Sequence, residues 1–356
     1  MDTGIRQKLE ERNTRIINAI LAKMKRECPG SVDLIGIGGS FFSGDIHEKS
    51  DLDLLIIIND DRAKCLSSCF ILDGVGFDLY CSKWDSLENM VEYKDPYSGK
   101  LIDLKILYFL DKKAEERYFL LQKKLQEILS SPLSEQDIEK AKAFLQKAES
   151  EYIEIMINND ISLCRYSSAM FLYYLEFSIY MLNKKIVRGG IKRIPEEIES
   201  MSILPEGFMG LHKRVVCSGS VSDIKKSCTE LLGIMRKFFK GFESKTNEKK
   251  DITAGDLEGT YEEIVSNWRS KMFHSIDINS PYLSFQTISS CQYFYNMMSG
   301  KFNIKPIDIT KNFNPADLKA AAECFDKGME EYLKLYKRLN ISVRNYQAIE
   351  DFERGY

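Results

Sequence analysis

The chain has 356 residues, of which 44% are hydrophobic, and its formal net charge is −3. The length predicts two or three domains, and the near-neutral charge excludes a protein that binds nucleic acid through a globally basic surface. The nine cysteines include no Cys-x-x-Cys pair, and neither a signal peptide nor an apolar run of roughly 18 residues is present, which favours reduced thiols in a cytoplasmic protein.

The first third of the chain alternates helical and extended patterns. Apolar residues at helical spacing predict an amphipathic helix over 5–28, which Pro29 and Gly30 end. Short apolar runs predict strands at 32–38, 53–58 and 76–81, a short helix at 84–91, and a strand running into a helix at 101–109. We therefore predict an α+β domain over residues 1–111, built on a short mixed sheet with helices.

From residue 112 onward the pattern becomes helical. The predicted helices are 112–129, 134–159, 161–183, 206–215 and 219–244, followed by a polar loop over 243–256 and further helices at 257–275, 281–298 and 315–339. These segments predict a helical bundle domain over 112–245 and further helices over 257–356 that pack on it. The fold class is thus an α+β domain followed by a larger all-α part.

The segment from Gly38 to Ile58 carries the strongest chemical signal. Glycines at the end of a predicted strand allow a phosphate to approach the backbone, and Ser40 can donate one more hydrogen bond. Asp51 and Asp53 open a run of five aliphatic residues and, at a spacing of two, point to the same side of a strand. Two adjacent carboxylates repel each other unless a cation lies between them. The segment therefore predicts a metal site beside an anion site.

A third acid follows on the next predicted strand. Asp78 has apolar neighbours, and a carboxylate in a mostly buried strand is costly unless it is paired or bound to metal. Asp103 is an alternative for this third position, and we favour Asp78 because its strand follows sooner.

These residues resemble the nucleotidyltransferase superfamily that includes DNA polymerase β. The resemblance rests on Gly39-Ser40, then Gly44, then Asp51-Leu52-Asp53 and a later acid in an apolar strand, and it covers roughly residues 30–110. The small-molecule branch, which includes kanamycin nucleotidyltransferases, pairs such a domain with a helical one. The resemblance implies that Gly39, Ser40 and Gly44 hold the phosphates of a nucleoside triphosphate, and that Asp51, Asp53 and Asp78 bind Mg²⁺, with Asp78 either a third ligand or the general base.

One departure from the family pattern concerns a positive charge. Many relatives carry an arginine just before the glycine that corresponds to Gly44, whereas this chain has Phe41-Phe42-Ser43 there. His47, Lys49 or Lys83 could supply this charge, of which we count Lys83 among the expected phosphate-binding residues, or the triphosphate would bind more weakly.

The predicted activity is Mg²⁺-dependent transfer of a nucleoside monophosphate, AMP from ATP, to a hydroxyl group of a small molecule such as an antibiotic. The alternatives are a protein- or tRNA-modifying enzyme of toxin–antitoxin type and a non-catalytic nucleotide-binding module. Arg269 and His274 match the Arg-x4-His pattern of HEPN ribonucleases, but two fixed positions arise readily by chance. The expected partners are the triphosphate and the small acceptor, without a membrane, and a homodimer is compatible with the sequence.

Overall fold

The computed structural model of the protein describes residues 3–39, 50–188, 190–246 and 249–355. The chain divides into two compact units, Met1–Phe242 and Glu243–Tyr356. The sequence places its first boundary at residue 111, inside the first unit, and that finer division stays a prediction. Among the described residues, no helix is long and apolar enough to cross a membrane.

A five-stranded sheet forms the centre of the first unit. Its strands are β1 (Val32–Ile37), β2 (Leu54–Ile58), β3 (Ser68–Leu72), β4 (Val75–Ser82) and β5 (Lys105–Phe109). The order across the sheet is β3-β4-β2-β1-β5. Only the β2–β4 pair is parallel among these strands, so the sheet is mixed as predicted.

The aliphatic run of β2 is explained by burial on both faces of the sheet. Helix α1 (Thr3–Glu27) covers one face, where Ile20 and Met24 pack with Ile56. On the other face, Leu55 and Ile57 belong to the core that the sheet shares with the helices of the first unit. Each such aliphatic side chain contributes about 2 kcal/mol when fully removed from water.

Strand β3 is absent from the sequence-based prediction. It pairs antiparallel with β4 through a tight turn at Asp73 and Gly74, whose φ angles are +50° and +73°. Asp-Gly with two left-handed residues is the preferred turn for a two-residue hairpin. The strand lies at the edge of the sheet and is largely exposed, with Ile71 79% accessible, although four of its five residues are apolar.

The helices of the first unit agree closely with the predicted ones, except that the helix Ile194–Glu199 is absent from the sequence-based prediction. After α2 (Trp84–Val91), they are α3 (Lys112–Ser130), α4 (Glu135–Ile157), α5 (Ile161–Leu182), α6 (Ile194–Glu199), α7 (Phe208–Cys217) and α8 (Val221–Thr246), the last of which ends in the second unit. Helix α4 begins with a capping box, in which Ser134 and Asp137 satisfy each other's backbone N–H groups. A short 3₁₀ helix, Pro96–Leu101, precedes β5, so the strand predicted to start at residue 101 begins only at Lys105.

The second unit is helical, and one of its predicted helices is wrong. The predicted helix 257–275 is instead divided into α9 (Ala254–Leu257), α10 (Thr260–Ile264), a π-helical turn at Val265–Arg269, and α11 (Ser270–Asp277). Gly259 interrupts it because its φ of +86° is left-handed. Helices α12 (Pro281–Lys301) and α13 (Leu318–Arg338) follow as predicted, and α14 (Ile349–Gly355) is an addition.

Candidate active site

Two of the predicted acids share one cavity because of the parallel pairing of β2 and β4. In that pairing Leu55 lies opposite Tyr80, and Asp53 and Asp78 each precede those residues by two positions. Residues two apart on a strand point to the same face, so both carboxylates project to the same side of the sheet. They line a cavity of about 220 Å³ together with Gly38, Gly39 and residues of the 3₁₀ helix.

The glycine turn contacts Asp53 directly. The Gly38 N–H donates to the Asp53 carbonyl oxygen at 2.9 Å, which continues the β1–β2 pairing past the end of β1. Gly39 has a φ of +61°, and a β-carbon at this position would overlap the Asp53 carboxylate. Glycine is therefore required here both for the backbone conformation and for space.

Asp51 is not among the described residues that line this cavity, but its charge acts on Asp53. Burial raises the pKa of the Asp53 carboxyl, the Asp51 charge raises it further, and the Lys100 ammonium opposes both. Asp53 nevertheless remains accessible to solvent from the cavity. In the part of the chain that the structure describes, no three acidic, histidine or cysteine side chains are already arranged around a metal position. The Asp51 charge thus disfavours ionisation of Asp53, and a bound cation would oppose this effect.

Asp78 has a hydrogen-bond partner on the edge strand. Cys69 lies opposite Asp78 in the β3–β4 pairing, and its thiol donates to Asp78 Oδ1 at 3.1 Å. One carboxylate oxygen is thereby held, while the side chain as a whole stays exposed at the cavity.

Two cationic side chains lie at the same cavity, and their partners differ. Arg188 makes a two-pronged contact with Asp103, in which Nε donates to Oδ2 at 2.7 Å. Lys100 instead donates to the Tyr80 hydroxyl at 2.7 Å and lies 5.3 Å from the centre of the Tyr80 ring. Asp103, the alternative third acid, is thus already neutralised by an arginine, whereas Asp78 has no such ion pair among the described residues.

The structure does not bring every predicted site residue to the cavity. Lys83 follows the carboxyl end of β4, five residues past Asp78 and so about 16 Å along the strand. Its ammonium pairs with Asp61 at 2.9 Å. Ser40 and Gly44 lie outside the described residues, as do His47 and Lys49.

Several cavity residues are absent from the sequence-based prediction of the site. They are Tyr80, Tyr97, Lys100, Val187 and Arg188. A weak signal exists for Tyr80, because it stands two positions after Asp78 and must share its face. Lys100 and Arg188 carry no such signal, since they come from a 3₁₀ helix and a loop that only the tertiary fold brings together.

Arg269 and His274 belong to the second unit. Arg269 forms an ion pair with Asp326 at 3.1 Å and lines a separate cavity beside the π-helical turn. His274 is exposed and is not among the residues that line this cavity. The structure therefore does not bring Arg269 and His274 to one cavity, as the ribonuclease interpretation would require.

Comparison with known proteins gives a match for the region that contains the sheet. Residues 17–158 match the family model of the nucleotidyltransferase domain, a range that includes the glycine turn and all three predicted acids. A solved structure with detectable similarity is that of a nucleotidyltransferase-like protein from Exiguobacterium sibiricum, at 11% identity over 72% of this chain and 88% of that chain, with a TM-score of 0.37. No curated protein matches the chain.

Proposed function

We propose that this chain moves AMP from ATP to a hydroxyl group of a small molecule in a Mg²⁺-dependent reaction. The premise is that the chain carries a nucleotidyltransferase domain over residues 17–158 and is a transferase of that kind. The observation that carries the proposal is the pair Asp53 and Asp78, which face one cavity from adjacent parallel strands, directly beside the Gly38-Gly39 turn. An antibiotic is one such acceptor.

Domains of this family generally use a nucleoside triphosphate and a divalent metal ion. The residues present fit such an ion. The donor atoms are carboxylate oxygens, which Mg²⁺ prefers, and the ionised form of Asp53 is disfavoured by burial and by the Asp51 charge. Asp51, Asp53 and Asp78 would hold the ion. When bound, it would neutralise the charge that develops on the attacking and leaving oxygens.

The chain's own groups would carry out the remaining tasks. The Gly38-Gly39 backbone lets a phosphate approach the Asp53 side of the cavity without a side chain in the way. Asp78 either completes the metal ligands or accepts the proton of the acceptor hydroxyl. The Cys69 thiol bonds to Oδ1 of Asp78, which leaves Oδ2 of Asp78 available for either role. Attack in line with the α-phosphorus would then expel pyrophosphate.

A small acceptor suits the surroundings of the cavity better than a polynucleotide. A nucleic-acid acceptor is held chiefly by lysine and arginine contacts to its phosphates. The chain has 50 basic and 53 acidic residues, and of the two cationic side chains that line the cavity among the described residues, Arg188 is paired with Asp103.

The test is a screen of each nucleoside triphosphate with Mg²⁺ against aminoglycosides, lincosamides, tRNA and cell protein, with pyrophosphate release as the readout. We expect release from ATP that depends on a small acceptor. Asp51→Asn and Asp53→Asn should abolish release while the fold persists, whereas Asp61→Asn, an exposed acid paired with Lys83, should not. Binding of ATP without release under every condition would contradict the enzymatic proposal, and labelling of tRNA or protein would contradict the small acceptor.

A further inference from the structure

We propose that Lys100 binds the terminal phosphates of the nucleoside triphosphate and replaces the arginine that relatives carry before the residue corresponding to Gly44. The inference rests on the proposed function, because it assigns a ligand group within the same cavity. The proposal gives this role to Lys100 rather than to Lys83, the residue that the sequence favours, because Lys100 lines the cavity and Lys83 does not.

The first step is that Lys100 is held in place from both ends. Its backbone belongs to the 3₁₀ helix Pro96–Leu101, in which Pro96, Ser98, Gly99 and Leu101 are buried and Asp95 caps the first turn. Its ammonium donates to the Tyr80 hydroxyl. A lysine ammonium has three donors, so two remain for a ligand after the bond to Tyr80.

The second step concerns which charges in the cavity are already neutralised. Arg188 has its guanidinium on Asp103, and Lys83 has its ammonium on Asp61. Over the described ranges, no carboxylate lies within ion-pair distance of the Lys100 ammonium, although the residue lines an acidic cavity. Lys100 is therefore the cavity cation that can meet an anionic ligand without first breaking an ion pair.

The third step is the position of Lys100 relative to the acids. Tyr80 and Asp78 are two residues apart on one face of β4, or about 7 Å. The Lys100 ammonium sits at the Tyr80 end of this face, and its charge reaches Asp53. A triphosphate whose α-phosphate is held at the acids would thus have its β- and γ-phosphates within reach of the ammonium.

The experiment compares the affinities of four ligands, each with Mg²⁺, for purified full-length protein. The ligands are ATP, ADP, AMP and inorganic pyrophosphate, measured by isothermal titration calorimetry. Lys100→Met keeps an unbranched apolar side chain of similar length and removes the charge. We expect it to weaken ATP and pyrophosphate about tenfold to one-hundredfold, which is the range for one hydrogen bond between charged groups, and to leave AMP unchanged.

Two further variants make the outcome decisive. Lys100→Arg keeps the charge and should restore most of the ATP affinity, whereas Lys83→Met should leave all four affinities unchanged. Unchanged ATP and pyrophosphate binding by Lys100→Met, or equal weakening of AMP and ATP, would overturn the assignment of Lys100. Failure of the unmodified protein to bind ATP at all would instead overturn the proposed function, so the two failures are distinguishable.

Discussion

Replacement of Gly39 by alanine tests the contact on which the active-site geometry depends. Gly39 has a φ of +61°, and an added β-carbon would overlap the Asp53 carboxylate. The left-handed backbone alone costs alanine about 1–2 kcal/mol. Asp53 must move in addition, because its Oδ2 and Cγ both lie closer to the added carbon than non-bonded atoms can approach.

The chain offers a matched control at Gly74. This glycine has a φ of +73°, yet no atom lies within 4 Å of where its β-carbon would be. Gly74→Ala therefore bears the same backbone cost without disturbing a functional group. In a unit of this size we expect each variant to lower Tm by about 2–4 °C per kcal/mol.

Activity should separate the two variants. Displacement of a reacting group by about 1 Å can cost about one-hundredfold in rate. We therefore expect Gly39→Ala to lose at least that factor in kcat, measured by pyrophosphate release, while Gly74→Ala keeps the rate of the unmodified protein. Equal activity of the two variants would refute the argument that a glycine at position 39 is needed to position the Asp53 carboxylate.

Two further predictions concern other contacts in the first unit. Cys69→Ala should lower kcat about tenfold because Asp78 loses a donor, and Cys69→Ser should restore it; equal rates in steady-state assays would contradict a positioning role. Lys184→Met should lower the free energy of unfolding by about 3 kcal/mol in urea, because it leaves the buried carboxylate of Asp137, 3.2 Å away, without its ion-pair partner. Burial opposes ionisation of Asp137, but bonds from Ser134 and Lys184 outweigh it and lower the pKa, so the pair's contribution should be lost as pH falls below about 4.

The parts of the site that the sequence predicts are those encoded by local pattern. Asp53 is recognisable because it opens a buried aliphatic run, and Asp78 because it interrupts one. Their meeting depends on a parallel pairing in which residue n on β2 lies beside residue n + 25 on β4. The sequence contains both acids but not this register, since parallel strands are joined by a long connection whose length does not determine it.

The charges around the site show why the remainder could not be predicted. Lys83 is close to Asp78 in sequence, but an extended strand carries it to the opposite end of the sheet, where Asp61 pairs with it. Lys100 and Arg188 are distant in sequence from the acids and reach the cavity through a 3₁₀ helix and through the loop after α5. Proximity along the chain is therefore a poor guide to which cation serves a site assembled from several elements.

The electrostatics of Asp53 give a last prediction that does not depend on turnover. Because burial and the Asp51 charge raise the pKa of Asp53 in the folded state, its ionised form destabilises the metal-free fold at neutral pH. That penalty is present above the folded-state pKa and disappears as pH falls below the unfolded value of about 3.9. Asp53→Asn removes the charge and keeps the shape, so the metal-free variant should have a higher Tm than the unmodified protein at pH 7.

Magnesium should reverse this order of Tm values, so that the unmodified protein becomes more stable than Asp53→Asn. A cation that binds only the folded state raises the Tm of the unmodified protein, with a stabilisation that grows as the logarithm of one plus its concentration over Kd, and the variant should respond weakly. Asp61→Asn, which removes an acid that pairs with Lys83 away from the cavity, should keep the Mg²⁺ response of the unmodified protein. If Asp53→Asn instead lowered the Tm of the metal-free protein, Asp53 would serve packing rather than a cation, and the metal site would have to be sought elsewhere.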